Sequence, residues 1–283
     1  MFVSIRFFIY LPRFESPKDM FKPIILMILT FLGVSINTTA QSKLAQEVGI
    51  IFGPVSFQSD YGERHNFDTN VGNTGFGVGL VHFINFSAAN NRENYFTEHF
   101  KFRSELSFNT TKLHHFGQWV DLEEKKGLVQ HLRAMNGSST LVNLGAQMEY
   151  SPFMKIHDFE HSVGSISPYV SLGFQVSYYS TKTSSTLGPL GTSETTFGKY
   201  LTPSDGRQFG FSNENGVVLS LTAGVGFHYK LAEMSDLVFE ARYQGYNSDW
   251  VDGLNPNKEL YKENKSNDSQ VWFNVGYIYY LEY

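Results

Sequence analysis

Cysteine is absent from all 283 residues. That excludes a disulfide framework, a lipid-bearing cysteine behind a secretion signal, and thiolate metal sites. A basic excess is missing too: the formal net charge is -5 at pH 7, whereas a nucleic-acid partner calls for a basic patch. Beyond residue 40 no apolar run is long enough for a membrane helix, which needs ~20 residues. No dinucleotide fingerprint occurs either. The glycines of Gly72-Asn-Thr-Gly-Phe-Gly-Val-Gly79 have the wrong spacing, no crossover helix pattern follows them, and a two-residue period describes them better. What the chain has in quantity is aromatic side chains, 16% of residues, and 25 glycines.

The N-terminal region reads as a targeting segment. Met20-Phe-Lys-Pro-Ile-Ile-Leu-Met-Ile-Leu-Thr-Phe-Leu-Gly-Val34 is a short basic start followed by an apolar run, and Thr38-Thr39-Ala40 supplies small residues before Gln41. The pattern predicts a secretory signal over 1–40, cleaved after Ala40, with Met20 as the start and 1–19 lying upstream of it. One long signal beginning at Met1, or an uncleaved anchor, are the alternatives. Residues 41–283 then make one domain.

Within that domain the governing rhythm is two residues. In the last segment Val271, Phe273, Val275, Tyr277, Tyr279, Leu281 and Tyr283 share one strand face, while Gln270, Trp272, Asn274, Gly276, Ile278, Tyr280 and Glu282 share the other. Seven earlier segments alternate in the same way: about 45–57, 75–86, 99–111, 141–150, 169–180, 217–231 and 236–247. The third is the clearest, with Phe100, Phe102, Leu106 and Phe108 set against Lys101, Arg103, Glu105, Ser107 and Asn109. A helix cannot be written on this period. Eight strands, with no helices to cover their apolar faces, predict an all-β, antiparallel, eight-stranded transmembrane barrel with its apolar face toward lipid. A soluble lipocalin-like barrel would turn that face inward.

The connections fit an even-stranded barrel with both chain ends on one side. Long outer loops are expected at 58–74, 112–140, 181–216 and 248–269, and shorter periplasmic links at 87–98, 151–168 and 232–235. The link at 151–168 is long for a turn. The terminal strand, with Phe273, Tyr277, Tyr279, Leu281 and the closing Tyr283, resembles the assembly signal of bacterial outer-membrane barrels.

Eight strands enclose a bore that side chains can fill. Glu47, Lys101, Arg103, Glu105, Glu149, His228, Lys230, Glu240 and Arg242 all project into it, with signs nearly balanced. Charges in so narrow a space must be paired, since an unpaired buried ion costs several kcal/mol, and Arg103 with Glu149 is the pairing to expect. A salt-bridged plug is the main reading of this cluster, and a proton or ion path the alternative. Outer loops carry two small motifs, His115-Phe-Gly-Gln-Trp-Val-Asp121 and Asn247-Ser-Asp-Trp-Val-Asp-Gly-Leu-Asn-Pro256. Their Trp119 and Trp250 suit an aromatic girdle at headgroup level, and Asp121 and Asp252 accompany them. Asp249, Asp252 and Asn255 offer oxygen atoms for calcium, but without an EF-hand spacing. His114, His115 and Asp121 are the one adjacent group that would suit acyl transfer at the rim, as in the eight-stranded lipid A palmitoyltransferase, yet no serine is placed beside them.

Four stretches carry a family resemblance: Gly53-Pro-Val-Ser-Phe-Gln-Ser-Asp-Tyr-Gly-Glu63, Asn66-Phe-Asp-Thr-Asn-Val-Gly-Asn-Thr-Gly-Phe-Gly77, the His115 motif and Asp249-Trp-Val-Asp-Gly-Leu-Asn-Pro256. Together the chain resembles an uncharacterised outer-membrane β-barrel family of Flavobacteria and related Bacteroidota, some of whose members carry the label glutamate dehydrogenase. These residues give that label no support, lacking a nucleotide fingerprint and any βαβ alternation. The resemblance implies a Gram-negative outer membrane and brings no catalytic residues. The sequence thus predicts a non-enzymatic outer-membrane scaffold with a plugged lumen, without catalytic, cofactor or metal residues. Its expected partners are outer-membrane lipid, the barrel assembly machinery and an envelope protein bound by the outer loops, with no nucleic acid among them. A lipid-modifying enzyme using rim residues is the alternative, and a narrow transport protein the third.

Overall fold

The computed structural model describes residues 44–63, 66–86, 94–121, 127–264 and 266–281. The expected signal region and Tyr283 lie outside the described residues. Eight strands run in chain order: β1 Ala45–Gln58, β2 Thr74–Asn85, β3 Phe100–His114, β4 Met135–Tyr150, β5 Ile166–Ser185, β6 Asn215–Ala232, β7 Ser235–Tyr246 and β8 Ser269–Tyr280. Each pairs antiparallel with the next, and β1 pairs with β8 to close the barrel. Closure leaves no unpaired edge to recruit another chain.

The side-chain faces are inverted relative to a water-soluble fold. Leu221 is 71% exposed, Leu172 68% and Phe174 60%, whereas Glu105, Lys230 and Asp236 are fully buried. Monomeric proteins in water rarely carry an apolar surface that is continuous around the molecule. Covering one such side chain with an apolar medium is worth about 2 kcal/mol, so this belt is built for lipid. Among the described residues no helix is long and apolar enough to cross a membrane; the strands can do so.

Small residues make room inside. A Cβ on Gly77 would lie 2.9 Å from the Trp272 ring and 3.0 Å from Val55, so glycine on β2 lets the indole of β8 fill the bore. Trp272 belongs to an inner apolar cluster with Ile51, Val81, Phe83, Tyr169 and Ile278.

Two strands outrun the expected boundaries. β4 begins at Met135 rather than Leu141, and β5 runs from Ile166 to Ser185. Their added ends are rich in Ser and Thr and lack the greasy alternation that marks the lipid-facing part. Tyr178, on the same parity as the lipid-facing Val170, Leu172 and Phe174, is buried at 3% exposure.

At the end where β1 begins and β8 finishes, β6 and β7 are joined by a tight turn with a register shift at Lys230/Ala232. The other two links there carry short helices, α1 Tyr95–His99 and α2 Ile156–Glu160. Phe96, Phe100 and Tyr150 stack along this rim, with centroids 4.8 Å apart in each step, as aromatic side chains do at headgroup level.

Candidate functional site

The nine charged residues expected in the lumen are all there and all buried. Strand parity puts them there, because residues two apart share a face. At mid-bore Arg103 reaches Glu149 at 2.9 Å, Glu105 at 2.7 Å and Glu240 at 3.1 Å. Arg242 on β7 lies 2.8 Å from Glu105 and also contacts Glu240. Two guanidinium forks thus share two carboxylates, a geometry that a lysine could not reproduce. Asn274 Nδ2 donates at 3.1 Å to the Glu240 oxygen that the guanidiniums share, and Ser171 Oγ donates to the other oxygen at 3.0 Å.

Toward the end where β1 begins, His228 bridges Glu149 at 3.2 Å and Asp236 at 3.3 Å. Asp236 was not among the residues singled out from the sequence. It stands at the start of β7 on the same parity as Glu240 and Arg242, and that parity was the available signal. Lys101 pairs with Glu47 at 2.7 Å. The Lys230 ammonium lies 3.6 Å from the Tyr280 ring centroid, and the Tyr280 hydroxyl donates to Asp236 at 3.0 Å.

The long link at 151–168 is a stopper. Its α2 buries Ile156 and Phe159, at 2% exposure each, and Phe159 comes within 5.8 Å of the Lys230 ammonium and 6.0 Å of that of Lys101. Glu160 accepts from Asn85 Nδ2 at 2.8 Å, and the same amide donates to Glu47 at 2.7 Å. The helix is thereby tied to the ion network.

The opposite end is closed by the four long loops, which build a core of their own. Tyr61, Leu132, Tyr200 and Leu254, one from each loop, are buried together with Phe57, Leu113 and Tyr246 from the strand ends. Backbone bonds sew the loops to one another: Phe116 N–H donates to Tyr61 O at 2.8 Å, Ser212 N–H to Gly253 O at 2.8 Å, and Asn255 N–H to Gly210 O at 2.9 Å. Gly253 holds the turn at φ 88, where a side chain would be strained. This cap was not foreseen from the sequence.

The outer-loop motifs divide. Trp119 is 65% exposed and Asp121 is exposed, but Trp250 is only 5% exposed and Asp252 is fully buried. Trp250 therefore does not stand in the girdle. The Arg207 guanidinium lies 3.7 Å from its ring centroid, and its Nε1–H donates to Asp205 at 3.2 Å. The calcium reading meets an obstacle of chemistry. Asp252 accepts N–H bonds from Asp60 and Leu254, and Asp249 accepts from Asn264 at 3.0 Å, so these carboxylates cap backbone and amide groups of the loop.

The acyl-transfer group is also dispersed in character. His114 and Asp121 are exposed, whereas His115 is buried against Tyr61, with ring centroids 4.6 Å apart. Burial, with smaller contributions from Lys199 and His114, pushes the His115 imidazole down to about 3. It is a neutral packing residue of the cap.

No known family model matches the chain, and no curated protein matches it. Among solved structures it is similar to a major outer membrane protein from Thermus thermophilus, at 13% identity over 84% of this chain and 99% of that one, with a TM-score of 0.46. It is similar as well to Ail, the attachment invasion locus protein of Yersinia pestis, at 12% identity over 85% and 100% of the two chains, with a TM-score of 0.39. A third is the outer membrane enzyme PagL, at 10% identity over 82% and 98%, with a TM-score of 0.34. This chain has eight strands, a closed barrel and an inverted polarity of its side-chain faces. These are the features of a bacterial outer-membrane barrel.

Proposed function

We propose that this barrel is a non-enzymatic scaffold of the outer membrane, held rigid by a sealed bore, whose capped loop end binds a partner at the cell surface or in a larger envelope assembly. The Bacteroidota family resemblance is part of this reading. The observation that carries it is the double closure: ion pairs and α2 fill one half of the bore, and a loop cap with its own apolar core covers the other. A loop end built for rigidity suits recognition, because ordering entropy is already spent before a partner arrives.

The surface favoured for that partner is a polar cleft of about 620 Å³ between 203–208 and 255–259, lined by Asp205, Arg207, Asn257, Lys258 and Glu259. Asp205, at φ 50, is the one non-glycine residue at positive φ among the described residues. With Gly206 at φ 77 it makes the two-residue turn of the Ser204–Arg207 hairpin that walls the cleft. Exposed Trp119 adds a rigid aromatic anchor on the same end.

The test is affinity capture of the intact barrel in mild detergent, alongside lipid A mass spectra of cells with and without it. A companion protein lost in Arg207→Ala and Asp205→Ala, with identical lipid A spectra, supports the scaffold. A lipid A change that vanishes in His114→Ala or Asp121→Ala supports the rim enzyme and overturns it.

A further inference from the structure

The stopper helix α2 and the residue that ends it contain the run His157-Asp158-Phe159-Glu160-His161. On a helical turn, positions i, i+3 and i+4 fall on one side, so the two imidazoles and the Glu160 carboxylate converge while Phe159 points into the bore. One ring nitrogen of each histidine and one Glu160 oxygen lie within 4.8 Å of one another. Ligand atoms around a single ion, at bonds of about 2.0–2.2 Å, are separated by up to roughly twice that length, so small side-chain rotations suffice.

We propose that His157, Glu160 and His161 bind a divalent transition-metal ion at the mouth of the barrel where β1 begins and β8 finishes. Two features beyond proximity support the assignment. His161 Nδ1 lies 2.8 Å from the carbonyl oxygen of His157; a carbonyl can only accept, so Nδ1 carries the proton and Nε2 presents its lone pair, the usual outer hydrogen bond of a metal-bound histidine. Glu160 is oriented in turn by Asn85 Nδ2 at 2.8 Å. Two imidazoles and one carboxylate suit zinc, nickel or copper, and exclude calcium and magnesium, which want oxygen ligands throughout. Water completes the coordination on the open side. Because Phe159 and Glu160 belong to the seal of the bore, an ion here fastens the stopper.

The test uses the untagged, folded full barrel in detergent, titrated with zinc and nickel ions by calorimetry, with folding verified by gel migration before and after boiling. One ion per chain is expected, weakened about tenfold or more in His157→Ala and in His161→Gln, and unchanged in His131→Ala, which alters a histidine of the loop cap. Magnesium should give no heat. Absence of saturable binding, or equal affinity in the His161→Gln barrel, overturns the site.

Discussion

Arg103 and Glu149 meet diagonally across the bore wall: their side chains are 2.9 Å apart, although the strand register sets Arg103 opposite Gln147 and Glu149 opposite Lys101. The diagonal lets Arg103 engage Glu149 with one nitrogen and the Glu105 and Glu240 carboxylates with another. Replacing it with methionine leaves a surplus of buried negative charge. Arg103→Met is expected to lose about 3–5 kcal/mol in urea unfolding of the lipid-reconstituted barrel, and unchanged stability would contradict a network held together by pairing.

Gly77 is the second lever. Since a Cβ there already meets the Trp272 ring at 2.9 Å, Gly77→Leu should overpack the inner cluster and cost about 1–3 kcal/mol. The unfolding midpoint reads this directly, and Val78→Leu, on the outward face, serves as the neutral comparison.

Leu221 and Leu260 separate lipid from water. Their exposures are close, 71% and 64%, but one lies in β6 and the other in the last long loop. Leu221→Arg should destabilise the reconstituted barrel by roughly 2–4 kcal/mol, and Leu260→Arg should stay within ~0.5 kcal/mol. Equal effects would mean that the β6 face does not meet acyl chains.

The cap should respond to acid through His115. Its folded value is depressed from 6.5 to about 3, so in that interval the unfolded loops bind more protons than the folded cap. Its contribution is complete above pH 6.5 and is lost as pH falls toward 3. Limited proteolysis of the loops should accelerate across that window, and His115→Phe should flatten the response.

The alternation was legible because a one-residue slip would turn a strand's whole apolar set inward. Lys101, Arg103 and Glu105 could therefore be placed in the lumen from parity alone, and the same rule applied one step further would have added Asp236. The cap was not legible. Leu132, Tyr200, Val251 and Leu254 are scattered over three loops without a period, and only the closed barrel brings them together. Phe159 escaped for a related reason: a five-residue helix in a link has too few turns to declare a buried face. Trp250 was misplaced because an aromatic beside a strand end reads alike at a lipid rim and beneath an arginine.

The most direct measurement is electrical. With Phe159 and the ion pairs filling one half of the bore and the four-loop core covering the other, the purified barrel inserted into a planar lipid bilayer should leave the current at baseline under applied voltage. Steady, reproducible conductance steps from the unmodified barrel would contradict a sealed scaffold.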